Sequence, residues 1–141
     1  MLKILNKING INDVVENNHL LEIEFDKTNI LKIFNQLKDN ADLSFNQLLD
    51  ITAVDYPSRE FRFDLIYILQ SLTKNKKVIL KTFIKENENI ESITNIHKSA
   101  DWYERECYDL FGIEFLNHPD VRRIMTDYNF EGYPLRKDFP L

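Results

Sequence analysis

Between residues 104 and 123 the chain gathers the side chains best suited to chemistry: Glu104, Arg105, Glu106 and Asp109, then His118, Arg122 and Arg123. Two carboxylates and a histidine can run acid–base catalysis when burial lifts a carboxyl pKa toward neutrality. The spacing argues against it. Glu104 and Glu106 stand two apart on a predicted helix, about 200° around its axis, and face away from each other. Arg105 and Asp109, at i and i+4, read as a surface ion pair worth roughly 0.3 kcal/mol. No serine or cysteine nucleophile sits beside a base, and no loop is built to cradle a substrate. A metal on His118 and Asp120 needs further ligands that the sequence does not supply. His19 and His97 read as isolated and solvent-facing, and Cys107 as filling the core face of its helix. The favoured reading is a carboxylate–arginine lattice, in which Glu104 and Glu106 hold Arg122, Arg123 or a partner's arginines in bidentate pairs. A hydrolase built on Glu104, Glu106 and His118 is the competing reading.

Composition narrows the classes. The 141 residues fit one domain with an extension, and a compact fold of that size buries roughly 70% of its unfolded surface. One cysteine, Cys107, excludes an internal disulfide and any zinc or iron–sulfur site that needs several thiolates of this chain. The net charge of −5 argues against a nucleic-acid partner, whose phosphates call for a basic face. With three glycines, Gly10, Gly112 and Gly132, neither a dinucleotide fingerprint nor a P-loop can be written. No apolar run approaches the ~20 residues of a membrane span. The opening Met1–Lys7 has neither a secretory apolar core nor an arginine-rich transit pattern, so no targeting leader is expected.

The elements that must position these residues are partly legible. Leu21, Ile23 and Phe25 alternate with Leu20, Glu22 and Glu24 as a half-buried strand. Thr28 is placed to cap a helix running to Asn40, with Ile30, Leu31, Phe34 and Leu37 on one face. A strand over residues 50–55 closes at Tyr56-Pro57-Ser58. Phe61, Phe63, Leu65, Tyr67 and Leu69 keep period two, the opposite face being exposed at Arg62 and Asp64 and buried at Ile66 and Ile68. A turn over residues 73–76 leads into a second alternating strand, residues 77–85, completing a hairpin. Residues 91–98 read as a short helix with Ile93 and Ile96 inward. Residues 100–111 read as the last helix, with Asp101 and Glu104 as a capping box and Gly112 as its stop. The fold expected is α+β, a two-layer sheet-and-helix domain of about four strands and three or four helices over residues 1–115, with an extended irregular tail over residues 116–141.

The tail differs from the body. Residues 1–100 hold 11 of the 12 lysines and 13 of the 15 asparagines, while residues 101–141 hold four of the six arginines, Arg105, Arg122, Arg123 and Arg136, and nine of the 17 aromatics. Lysine and asparagine suit a solvated face; arginine with aromatics suits the centre of an interface. A long irregular segment this apolar either packs back on its own domain or lies along another chain, and the second is favoured.

The residues themselves carry a resemblance. Ala100-Asp101-Trp102-Tyr103-Glu104-Arg105-Glu106-Cys107-Tyr108-Asp109-Leu110-Phe111-Gly112-Ile113, Asn117-His118-Pro119-Asp120-Val121-Arg122-Arg123-Ile124-Met125-Thr126-Asp127-Tyr128 and Pro134-Leu135-Arg136-Lys137-Asp138-Phe139-Pro140-Leu141 resemble the 30 kDa subunit family of respiratory complex I, the NADH:quinone oxidoreductase. A looser likeness runs through Asp50–Pro57 and Arg62–Lys85. The resemblance implies a structural subunit of the hydrophilic arm with no catalytic or cofactor-binding residue of its own. Iron–sulfur clusters and FMN would lie in partner subunits. The chief partner would be the 49 kDa quinone-site subunit, with Glu104, Arg105, Glu106, Asp109, His118, Arg122, Arg123 and Arg136 at the interface. It implies a peripheral position, on the cytoplasmic face of a bacterial inner membrane or the matrix face of a mitochondrial one. The equivalent subunit of a related membrane-bound hydrogenase, or of an oxidoreductase with another electron donor, shares this signature. Family chains commonly continue past Leu141, so a shorter clamp on the neighbour is expected here.

Overall fold

The computed structural model describes residues 1–120 and 132–138. A four-residue helix α1 (Leu2–Leu5) precedes a hairpin of β1 (Ile11–Asn17) and β2 (Leu20–Phe25). A 3-10 turn (Lys27–Asn29) runs into α2 (Ile30–Asp39). Three strands follow, β3 (Gln47–Asp55), β4 (Phe63–Ser71) and β5 (Lys76–Ile84), then β6 (Asn89–Glu91), α3 (Ala100–Phe111) and β7 (Glu114–Leu116).

Five strands form one sheet in the order β1-β2-β5-β4-β3. All neighbours are antiparallel except β2 and β5, which pair in parallel from Leu20↔Lys77 to Glu24↔Lys81. The expected hairpin is present, with Leu65↔Thr82, Tyr67↔Leu80 and Leu69↔Val78 in register. Alternate residues of β2, β3, β4 and β5 fall on one buried face because the side-chain period of a strand is two. Both longer helices cover that face. Phe34 of α2 lies 4.9 Å from Tyr67 and 5.9 Å from Phe25 between ring centres. Phe111 of α3 meets Phe63, and the Cys107 thiol reaches the Ile51 carbonyl at 3.5 Å, so Cys107 does fill the core side of its helix. The result is a two-layer α+β domain.

Several local expectations are corrected. Asp26, not Thr28, caps the first helical turn, its carboxylate accepting from the Thr28 N–H and hydroxyl. The two ends of β4 are the reverse of the reading: Arg62 and Asp64 are buried, Ile66 and Ile68 half-buried, and Phe61 precedes the strand and is exposed. Residues 91–98 form no helix. Ile93 and Ile96 are inward, but Ser92 accepts from the Thr94 N–H, a side-chain turn that competes with helix. The chain instead leaves β6, which pairs in parallel with β7 as a separate two-stranded sheet.

Residues 133–138 pack back on the domain. The Leu135 N–H donates to the Leu110 carbonyl at 2.9 Å, and the Arg136 Nε to the Phe111 carbonyl at 2.7 Å, so this stretch of tail caps the C-terminus of α3. Tyr133 stacks edge-on against Tyr108. For these residues the expectation of a tail lying on a partner gives way to the other alternative. Gly112 makes the close approach possible. It sits at φ +80°, and a Cβ there would meet the Tyr133 ring at 2.7 Å and Arg136 at 2.8 Å. Gly112→Ala is therefore expected to cost about 1–3 kcal/mol, from left-handed strain and displacement of residues 133–136. Urea denaturation checks it, and a loss below ~0.5 kcal/mol would contradict this account.

Candidate functional site

Ala100, Glu104, Cys107 and Phe111 recur along α3 at helical spacing and form its inner face. Glu104 is thus carried into the core, 0% exposed. Its two oxygens accept from the Ser92 hydroxyl at 2.6 Å and the Ile93 N–H at 2.9 Å. The β6–β7 pair sets up this seat, since the Ser92 N–H donates to Leu116 and holds the turn against α3. Burial pushes the Glu104 carboxyl up to about 7, opposed by the Ser92 and Ile93 hydrogen bonds and helped by the nearby Asp101 charge. The expected capping box is absent: Ser99 occupies the N-cap position, and Glu104 is committed elsewhere.

His118 docks on the first turn of α3. Its Nδ1 accepts from the Asp120 N–H at 2.9 Å, which leaves the hydrogen on Nε2, where it donates to the Asp101 carbonyl at 3.1 Å. The same Nε2 lies 3.8 Å from Glu104 Oε1 and 3.2 Å from Asp101 Oδ1. Glu106 does not join them. It accepts from the Trp102 indole N–H at 2.6 Å, on the exposed side of the helix. Arg105 approaches Asp101 at 3.9 Å, one turn back. Asp109, expected in a surface pair with Arg105, is 0% exposed. Arg122 and Arg123 lie outside the described residues. The lattice expected on Glu104 is therefore replaced by a carboxyl that organises its own turn.

A second polar centre has no counterpart among the sequence-based expectations. Asp55 ends β3 on the core side, in the same parity as Ile51 and Ala53, and is 2% exposed. Arg62 grips it in a bidentate pair, Nε to Oδ1 at 2.6 Å and Nη2 to Oδ2 at 2.9 Å. The Lys137 N–H adds a bond to Asp55 Oδ2 at 2.8 Å, and Asp138 accepts one from Arg62 Nη2 at 2.9 Å. Burial raises the Asp55 pKa, but the Arg62 and Lys137 hydrogen bonds and the charges of Arg62 and Arg136 outweigh it and hold it below the usual range. Arg136 completes the centre, 3.3 Å from Glu86 and stacked over Phe63 and Tyr133.

His97, expected in solvent, is 5% exposed, and its Nε2 has no hydrogen-bond partner. Burial and the Lys38 charge push its pKa down to about 4. Among the described residues no group of three or more His, Cys, Asp or Glu side chains could hold a metal ion. No described helix is long and apolar enough to cross a membrane.

This geometry builds no nucleophile, no base aimed at a cavity, and no cofactor cradle among the described residues. It does tie helix α3, which carries the signature residues, to the rest of its own domain. Residues 23–141 match the family model described as respiratory-chain NADH dehydrogenase, 30 Kd subunit. The chain belongs to that family. A 30 kDa-family relative, an NADH-quinone oxidoreductase subunit of Ruegeria pomeroyi, is 48% identical over 120 residues, covering 85% of this chain and 60% of its own. The mitochondrial NADH-ubiquinone oxidoreductase 30.4 kDa subunit of Neurospora crassa is 47% identical over 121 residues, 86% of this chain and 43% of that one. The chain thus spans about half the length of the curated relatives it matches. A trypsin-resistant fragment of Nqo5 superposes with a TM-score of 0.70 at 27% identity, over 84% of this chain and 95% of the fragment. A chain of a membrane-bound sulfane sulfur reductase, an archaeal respiratory membrane complex, superposes with a TM-score of 0.85 at 28% identity, over 99% and 83%.

Proposed function

We propose that the chain is a cofactor-free structural subunit in the hydrophilic arm of a proton-translocating NADH:quinone oxidoreductase. It packs against the 49 kDa quinone-site subunit, while neighbouring subunits hold the iron–sulfur clusters and FMN. It sits peripherally, on the cytoplasmic face of a bacterial inner membrane or the matrix face of a mitochondrial one.

The observation that carries this reading is where the polar and apolar groups are spent. Glu104, His118, Asp55, Arg62 and Arg136 satisfy one another or the chain's own backbone. Large apolar side chains of the same stretch stay outside: Trp102, Leu116 and Leu135 are all exposed. Polar satisfaction inside with aromatic and aliphatic anchors outside suits an assembly surface better than a catalytic one. The core domain, residues 1–115, and the seated residues 133–138 of the tail then dock as one body.

The likeness to the sulfane sulfur reductase chain supports a second reading, an equivalent subunit of a membrane-bound complex with another electron donor. Purification of the affinity-tagged full chain from its native membrane separates the two. Co-purification of a 49 kDa-type subunit with an NADH-oxidising flavoprotein is expected. A set without that flavoprotein favours the second reading, and recovery of the chain alone overturns both.

Trp102→Ala should leave folding within about 1 kcal/mol, because the side chain is half exposed and its hydrogen bond to Glu106 is local. Loss of an aromatic anchor worth about 2 kcal/mol would weaken assembly roughly 30-fold. Unchanged recovery of the complex would remove Trp102 from the docking surface.

A further inference from the structure

The last turn of α2, the start of β3 and the loop leading into α3 enclose an open cleft of about 610 Å³. Its wall includes Lys38, Asn46, His97, Lys98 and Ser99 and contains no carboxylate, in a chain whose net charge is −5. Three sources of positive potential meet there. Lys38 is held in place by donating to the Ile96 carbonyl at 2.6 Å, which leaves two of its N–H groups for a ligand. Lys98 is exposed and makes no salt bridge among the described residues. The N-terminus of the 12-residue helix α3 opens at Ser99, whose hydroxyl makes no capping bond.

The helix contributes field rather than donors, because the Ala100 and Asp101 amides already bond to the His97 and Lys98 carbonyls. The one carboxylate in that turn, Asp101, lies against His118 and does not line the cleft. His97 stays neutral near pH 7, with Lys38 among the causes, so the cleft's charge rests on the two lysines. Both cations are lysines and neither is an arginine. Paired point charges beside a hydroxyl suit a tetrahedral oxyanion, whereas planar carboxylates favour the arginine fork.

We infer that this cleft binds a phosphate-class oxyanion, with Lys38 and Lys98 as its cations and the Ser99 hydroxyl as a donor. The phosphate is either free in solution or carried on an anionic lipid headgroup.

The test titrates the full chain with inorganic phosphate at constant ionic strength, following backbone amide shifts by NMR. Saturable shifts at Lys38, Lys98 and Ser99 are expected, with chloride at matched ionic strength producing none. Lys98→Gln should weaken binding about tenfold, the loss of one charged hydrogen-bond partner. It spares the Lys38–Ile96 bond, so a folding defect is not expected to mask the result. Lys76→Gln, at a lysine paired with Glu16, should bind as the native chain does. A parallel arm sediments the chain with phosphatidylglycerol vesicles. Vesicle binding lost in Lys98→Gln assigns the phosphate to a headgroup; saturation by free phosphate alone assigns it to a soluble source. Failure of both arms, an equal response to chloride, or an unchanged affinity in Lys98→Gln overturns the inference.

Discussion

Arg62→Met should destabilise the chain by about 3–5 kcal/mol and free the stretch around Lys137. The cost comes from the partner left behind. Asp55 is 2% exposed and takes two of its hydrogen bonds from Arg62. Without the guanidinium a buried carboxylate keeps only the Lys137 N–H, and breaking a buried pair from one side is far costlier than the net worth of the pair. Against a total stability of about 5–15 kcal/mol this is a large fraction, and the melting temperature should fall by roughly 10 °C or more. Asp138 adds little, since it is 61% exposed and its bond to Arg62 is screened. The same change should unlatch the tail locally: hydrogen exchange at the Lys137 amide should quicken more than at core β4 amides. Arg62→Lys should recover little, because an ammonium cannot fork across both Asp55 oxygens. Asp55→Leu combined with Arg62→Met should recover most of the loss by removing the stranded charge. A single-variant loss under ~1 kcal/mol, or a double variant no better than Arg62→Met, would contradict this account.

The parts of the fold legible in the sequence are those whose burial follows local period. Strands β2, β4 and β5 alternate over five or more residues, and Gly112 ends α3 in the left-handed conformation expected of it. Strand β1 escapes such a reading because it lies at the edge of the sheet and is mostly exposed, so nothing forces its residues to alternate. The β6–β7 pair is three residues a side and joins segments about 25 apart, a long-range pairing that no window along the chain can report. Charged residues mislead for a related reason. The neighbours of Glu104 suggest a surface lattice, yet its spacing from Ala100, Cys107 and Phe111 places it on the inner face. Asp55 likewise shares the inward parity of Ile51 and Ala53. The period that identifies core positions applies to these carboxylates too; their type alone sets them on the surface. The packing of residues 133–138 against α3 has no such signal, because an irregular segment has no period to read.

Those buried groups predict an unusual pH profile, in which two opposing slopes hide each other. His97 has its pKa pushed down to about 4 from an ordinary 6.5. The folded chain keeps it neutral while the unfolded chain takes up a proton, so its contribution falls as pH drops from about 6.5 to 4. Glu104 runs the other way, raised to about 7 from an ordinary 4.5. The folded chain keeps its proton while the unfolded chain ionises, so its contribution is full below about 4.5 and is lost as pH rises through 7. Each span is worth roughly 3 kcal/mol at about 1.4 kcal/mol per unit, and between about pH 4.5 and 6.5 the slopes cancel. Asp26, Asp55 and Asp138 are held below 3.8, so their losses fall under this window. The native chain should therefore show a nearly level stability there. Glu104→Gln should uncover the His97 slope, with stability falling by roughly 3 kcal/mol from pH 6.5 to 4. His97→Gln should uncover the Glu104 slope, falling by a similar amount from pH 4.5 to 7, and the double variant should be level again. Any change in hydrogen bonding from the substitutions moves the whole curve without tilting it, so the slope is the readout. Urea denaturation at half-unit pH intervals measures it, and a level curve in both single variants would rule out this pairing of a buried acid with a buried base.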